Sequence, residues 1–401
     1  MLGRRDLIKG GLGALALGAG GVRRALAGEK TVTLPFAGGD RPLVQYPGKR
    51  PLIRLTSRPP QLETPFEIFD GNVITPNDAF FVRYHLADIP LEIDPDTYRI
   101  EVKGKVDKPL SLSLQELKTS FEAAEIVAVN QCSGNSRGFF EPRVGGGQLA
   151  HGAMGNARWK GVPLKAVLDR AGVQAGAVQV SFNGLDGPVI PETPDFVKAL
   201  DIDHARDGEV MLAYAMNGED LPWLNGFPVR LVVPGYYGTY WVKHLSEITV
   251  LDRPLANFWM ATAYRIPDNA CSCTEPGQAP KKTVPIGRFT IRSFITNVAE
   301  GQKLPAGETT LRGIAFDGGH GITEVSVSTD GGRNWKAASL GEDLGKYSFR
   351  SWSLPVTLAH GEHRLQARAI NRIGQSQPSK PLWNPAGYLR NVVETVRVEA
   401  M

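Results

Sequence analysis

Val127-Ala128-Val129-Asn130-Gln131-Cys132-Ser133-Gly134-Asn135-Ser136-Arg137 runs from an apolar, strand-like segment into a polar glycine turn, with Cys132 at the junction. A thiol fixed at a strand end, with a guanidinium five residues on, is placed to meet something soft or negatively charged. An adjacent cation favours the thiolate, and thiolates suit soft and transition metals. A buried structural cysteine, the usual state of a lone thiol, accounts for the apolar strand. It does not account for the Gly/Asn/Ser/Arg turn, which predicts an exposed sulfur.

Outward from this stretch the chain divides into two blocks. Residues 28 to about 255 mix strands and short helices. Helices are expected at Leu114–Leu117 and Leu164–Ala171, and strands at Ala177–Phe182, Val229–Val233 and Ile248–Leu251. Residues 256–287 read as a connector with little periodicity. From about Arg288 the pattern turns all-β: Thr323 to Ser328 alternates with period two, and Asp330-Gly331-Gly332 supplies a turn. Further strands are expected at Tyr347–Leu354 and His363–Asn371. Several short strands over roughly a hundred residues predict an immunoglobulin-like sandwich. The fold class is therefore α+β, a mixed first domain followed by an all-β one.

The first 27 residues read as an export signal. Arg4-Arg5-Asp6-Leu7-Ile8-Lys9 is followed by an apolar stretch, Gly10 to Val22, and by Ala25-Leu26-Ala27. Twin arginines, an apolar core and an A-x-A site together predict Tat export to the periplasm. No other apolar run approaches the ~20 residues of a membrane span. The formal charge of +4 resides in residues 1–27, so the remainder is formally neutral. That argues against a nucleic-acid partner, which needs a clustered basic face. Three cysteines in 401 residues make no disulfide framework. Cys271-Ser272-Cys273 is open to a strained disulfide in an oxidising compartment or to metal binding; the spacing is too short for an unstrained bridge, and a structural or incidental role is the preferred reading.

Chemistry-bearing residues gather in the first block. Phe80-Phe81-Val82-Arg83-Tyr84-His85-Leu86 reads as a strand whose period puts Arg83 and His85 on one face. Gly184-Leu185-Asp186-Gly187 offers a carboxylate in a turn. Arg230 interrupts the apolar run that leads to Pro234-Gly235-Tyr236-Tyr237-Gly238, and Lys243 follows. Buried cations need partners, and a phosphate would serve.

These motifs, in this order, resemble the sulfite oxidase family of molybdopterin enzymes. The likeness extends through Gly152 to Trp159, Asn225 to Arg230, Pro234 to Lys243, Trp259 to Arg265 and the Gly313 to Trp335 hairpin. It is greatest to bacterial periplasmic sulfite dehydrogenases that carry molybdenum alone. No haem-attachment C-x-x-C-H occurs in the chain. The resemblance divides the chain into a molybdopterin domain (28–255), a connector carrying a pocket tyrosine (256–287) and a dimerisation domain (288–401).

The resemblance implies that Cys132 ligates molybdenum and that Arg83, Arg137 and Tyr264 line a substrate-anion pocket. It implies that His85, Asp186, Asn225, Arg230, Trp241 and Lys243 hold the pterin and its phosphate. It also implies oxidation of sulfite to sulfate, electron transfer to a c-type cytochrome, and a homodimer. The sequence departs from the vertebrate pattern in four places. Asn225 replaces a histidine, Tyr240 an arginine, and Leu149 falls near a pocket tryptophan. Ala386, in Trp383-Asn384-Pro385-Ala386-Gly387, replaces an arginine. Alternatives are a sulfane dehydrogenase of thiosulfate oxidation, an exported sulfoxide reductase of the same superfamily, and a non-enzymatic binding module.

Overall fold

The computed structural model describes residues 30–401. The export signal expected over 1–27 lies outside the described residues.

The first block contains three sheets. An antiparallel five-stranded sheet is built from residues 31–83. A second five-stranded sheet is mixed, its strands Leu245–Leu251 and Arg99–Gly104 being parallel. The third carries Ala124–Gln131 paired in full register with Met154–Pro163, from Ala124 opposite Gly161 to Gln131 opposite Met154. Helices are few and short. Leu164–Ala171 forms where expected because Leu164, Val167, Leu168 and Ala171 make one apolar stripe, and Gly172 closes it with a left-handed φ of 71°. Leu114–Thr119 starts on a Ser113/Glu116 capping box.

The C-terminal block is the expected sandwich. One sheet is four-stranded and the other five-stranded. Leu311, Val325, Val327, Trp352, Leu365 and Ala369 lie within its own core. The other side of the sandwich joins the first block: Phe294, Phe316, Tyr347 and Phe349 belong to the same apolar core as Trp159 and Trp241. Arg312 and Asp70 pair across this junction at 2.7 Å, and Lys346 and Glu209 at 2.5 Å.

Three expectations need correcting. The strand expected over Phe80–Leu86 is confined to Val82–Arg83. Beyond it the backbone is irregular, because Tyr84 and His85 each turn into a separate aromatic contact. The connector is not featureless: it holds the helix Phe258–Ala261 and a hairpin of Arg265–Pro267 with Thr283–Pro285. Within that hairpin Cys271 and Cys273 form a disulfide. The physical reason is Ser272, whose φ of 48° folds the chain back and brings the flanking Cα atoms to 5.1 Å. Asn269 caps the turn, accepting from the Cys273 amide and donating to its carbonyl.

Candidate active site

Cys132 leaves the sheet at the end of Ala124–Gln131. Its amide still donates to Ala153 O at 2.9 Å, while its carbonyl accepts from the Asn135 amide at 3.0 Å. The Asn135 side chain accepts from the Ala153 amide, and Ser136 takes a left-handed φ of 69°. The turn is thus pinned on both sides. It does not carry the sulfur to the surface: Cys132 is only 9 % exposed, and it faces an internal cavity.

That cavity, about 620 Å³ with its open mouth, is bounded by Arg83, His85, Cys132, Asp186, Asn225, Arg230, Trp241, Lys243 and Tyr264. All candidate residues except Arg137 therefore meet around one space. Arg137 stands behind the wall. Its Nε donates to Ala386 O at 3.1 Å, and its guanidinium lies 4.9 Å from the Tyr388 ring centroid.

Tyr264 reaches the cavity because its own φ is left-handed, 56°, immediately after the Asn257-capped helix Phe258–Ala261. Its hydroxyl hydrogen-bonds His85 Nε2. His85 lies flat on Phe196, 3.6 Å between ring centroids, with Trp259 edge-on at 5.4 Å. Burial in this aromatic box pushes its pKa well below the usual value, and Arg83, Lys243 and Lys198 push the same way. The imidazole is neutral.

Arg230 is 3 % exposed. It donates to Asn225 O at 2.9 Å and to Trp241 O at 3.3 Å, and its guanidinium stacks over Trp159 and Trp241. Burial lowers its pKa to about 9. Lys243 donates to Arg83 O and lies 3.9 Å from the Tyr84 ring centroid. Burial lowers its pKa as well, Asp186 opposing. The Asp186 carboxyl is raised, by burial first and against the pull of Lys243.

Two assignments change in kind. The amide of Asn225 is engaged by protein: Oδ1 accepts from Lys49 Nζ at 2.5 Å and Nδ2 donates to Phe81 O at 3.0 Å. It shapes the wall rather than offering a free donor. Trp241 donates its indole N–H to Tyr236 O, so it gives the cavity a face and no hydrogen bond.

The residues fit a bound anionic cofactor. Asn130 Oδ1, Ser133 Oγ, Arg230 Nε and Thr239 Oγ1 are buried without a partner, and all four residues line the cavity. Buried polar groups are ordinarily satisfied, so the four await a ligand. A Cβ at Gly238 would meet Asn130 Oδ1 at 2.5 Å, so glycine alone permits this approach. Among the described residues no carboxylate lies within ion-pairing distance of Arg230 or Lys243, which suits a phosphate.

Sequence reading missed Lys49 and Lys198. Both are buried, and burial lowers each pKa to about 7. Lys198 Nζ donates to Trp259 O and sits over the rings of Tyr240 and Tyr264. A lysine inside the apolar stretch Phe196-Val197-Lys198-Ala199-Leu200 was the available signal. Tyr240, in place of an arginine, donates to Ile286 O, and Leu149 lies in the main core.

Comparisons with known proteins agree with this geometry. Residues 85–259 match the oxidoreductase molybdopterin binding domain, and residues 283–401 the Mo-co oxidoreductase dimerisation domain. Mitochondrial sulfite oxidase of Homo sapiens is 34 % identical across 98 % of this chain and 78 % of its own length. Sulfite oxidase of Arabidopsis thaliana is 29 % identical over 89 % of this chain and 96 % of its own. The sulfane dehydrogenase SoxCD from Paracoccus pantotrophus shares the fold, with a TM-score of 0.74 at 24 % identity over 96 % of this chain and 93 % of that one. The chain belongs to the sulfite oxidase family, and its cofactor is molybdenum held by molybdopterin.

Proposed function

We propose that the protein oxidises sulfite to sulfate in the periplasm and passes the electrons to a c-type cytochrome. Oxidation of a sulfur compound at molybdenum follows from the family. The observation that carries the finer reading is the cavity's lining: a thiol, a tyrosine hydroxyl and the cations Arg83 and Lys243 around one space. Sulfite gains an oxygen atom from water and gives up two electrons, while that water releases its two protons. When bound, molybdenum supplies the two-electron oxygen-atom transfer.

The chain's own residues bind and orient. Cys132 would ligate the metal, and Arg230 and Lys243 would hold the pterin phosphate. Arg83 places positive charge where an oxyanion enters, and Arg137 adds a longer-range charge from behind the wall. Burial pushes the Tyr264 phenol well up, so it keeps its proton. With its proton on Nε2, neutral His85 donates to the phenol oxygen and leaves the tyrosine O–H free for the anion. The dimerisation-type sandwich supports a homodimer.

A second reading has one observation in its favour. Ala386 leaves the pocket a cation poorer than the vertebrate pattern, which suits a less charged sulfur group, as in a sulfane dehydrogenase. Purified holoenzyme, with molybdenum and pterin assayed, decides between them. Sulfite-dependent reduction of a c-type cytochrome is expected; reduction driven by thiosulfate or a protein-bound sulfane, and not by sulfite, would replace the first reading with the second.

A further inference from the structure

Tyr388 comes from the segment between the last two strands of the sandwich, Gly361–Asn371 and Thr395–Ala400, yet it packs on the cavity tyrosine of the first block. Its ring stacks on Tyr264 with centroids 5.6 Å apart and planes 9° apart. The Arg137 guanidinium lies over the same ring at 4.9 Å. Burial raises the Tyr388 phenol; Arg137 lowers it, Cys132 raises it and Arg83 lowers it, so these charges surround it.

The arrangement is rigid. Asn384 clamps Tyr388 by its backbone, accepting from the amide at 3.1 Å and donating to the carbonyl at 2.7 Å. Trp383 ties the segment to the first block by donating to Pro142 O at 2.8 Å. Three glycines form a slot for Arg137. A Cβ at Gly134 or at Gly146 would meet its guanidinium at 2.8 Å, and one at Gly387 would meet its side chain at 2.9 Å. Among the described residues no carboxylate pairs with Arg137. It is held by carbonyls, by one aromatic face and by a hydrogen bond with the Tyr388 hydroxyl.

We propose that Tyr388 is a positioning residue for the oxidation at this site. Its ring fixes the Tyr264 phenol in the orientation that addresses an oxyanion and holds the Arg137 charge close behind it, at a point where Ala386 has removed the arginine of the vertebrate pattern. The inference rests on the function proposed above. A stacked ring restricts Tyr264 to one rotamer, and a guanidinium over a π face keeps its charge while losing its freedom to swing.

The test compares wild-type holoenzyme with Tyr388→Leu and Tyr388→Phe. Two quantities are read: KM and kcat for sulfite-dependent cytochrome reduction, and the Kd of sulfate by calorimetry, which needs no turnover. Tyr388→Leu should raise KM and the sulfate Kd about five- to thirtyfold. Its kcat should stay within about twofold, since the effect is on anion binding. Molybdenum content should be unchanged. Tyr388→Phe keeps both ring contacts and gives up only the hydroxyl's hydrogen bond to Arg137, so it should lie between wild type and Leu. The proposal is overturned if Leu behaves as wild type, if Phe falls as far as Leu, or if Leu loses molybdenum, which would make the residue merely structural. If the wild type neither oxidises sulfite nor binds sulfate, the proposed function fails and this inference fails with it. If the wild type does both and only the Leu effect is missing, this inference alone fails.

Discussion

Two groups of cations inside this molecule are treated differently. At the junction of the two blocks, Arg292 and Arg390 converge on Glu394, at 3.4 Å and 2.9 Å. Burial pushes the Glu394 carboxyl up, but His151, Arg390 and Arg292 together hold it below its usual value. In the cavity, Arg230 finds only backbone carbonyls and aromatic faces among the described residues, and Lys243 has Asp186 in the same cavity but outside ion-pairing distance. The junction supplies its own carboxylate, shared between the two arginines, and is therefore structural. The cavity is electrostatically incomplete, as a site is when its counter-charge arrives with a ligand.

The largest effect should come from the thiol. Cys132→Ser is expected to abolish turnover and alter the molybdenum electron paramagnetic resonance signal. Cys271→Ser with Cys273→Ser should leave that signal unchanged, since the disulfide caps a surface hairpin. The reverse outcome would remove Cys132 from the metal.

Next, Glu394→Gln leaves Arg292 and Arg390 buried without their carboxylate. That should cost about 3–5 kcal/mol in denaturant unfolding while leaving the sulfite KM in place. A cost below 1 kcal/mol, roughly that of an exposed pair, would show that the junction is no more complete than the cavity.

The third effect is on pH. Burial lowers the pKa of His151 to about 3, with Glu394 opposing. The unfolded chain then binds the proton first, so stability is present above the ordinary histidine pKa and is lost as pH falls below it. About 3 kcal/mol should disappear between pH 7 and about pH 4.5. His151 packs among Phe66, Phe139 and Phe294, so His151→Phe should fit and flatten that slope. An unflattened slope would place the acid sensitivity elsewhere.

The smallest effect distinguishes the cavity most sharply. Arg230→Met should leave the cofactor-free protein as stable as before or more stable by about 1–4 kcal/mol, because an unpaired buried charge is removed. The same change should lower pterin retention. Loss of stability in the cofactor-free protein would mean that Arg230 is already fully compensated by Trp159, Trp241 and its two carbonyls.

Much of this was legible in the sequence. The stripe Leu164, Val167, Leu168, Ala171 and the alternation of Thr323 to Ser328 specify local structure, and both formed as read. The cavity residues carry ordered motifs, and their convergence needed only the fold. What stayed hidden is non-local. Nothing in Phe80 to Leu86 says that the strand stops at Arg83, because the aromatic box around His85 comes from Phe196, Trp259 and Tyr264. The Cys271–Cys273 bridge depends on the φ of Ser272, which composition does not specify. Lys49 is buried only because Asn77, Phe80 and Asn225 supply acceptors from far along the chain.

The tether between Trp383 and Pro142 spans 241 residues, that between Arg137 and Ala386 spans 249, and that between Arg390 and Phe139 spans 251. Contacts of such separation form late, since the loop they close must first be synthesised and ordered. Arg137 can settle into its slot only once Ala386 and Gly387 are in place. A nascent chain stalled before Trp383 would have the cysteine turn but not its rear wall. Loss of residues 383–390 should therefore be read as an active-site lesion, since it removes the rear wall of the cysteine turn.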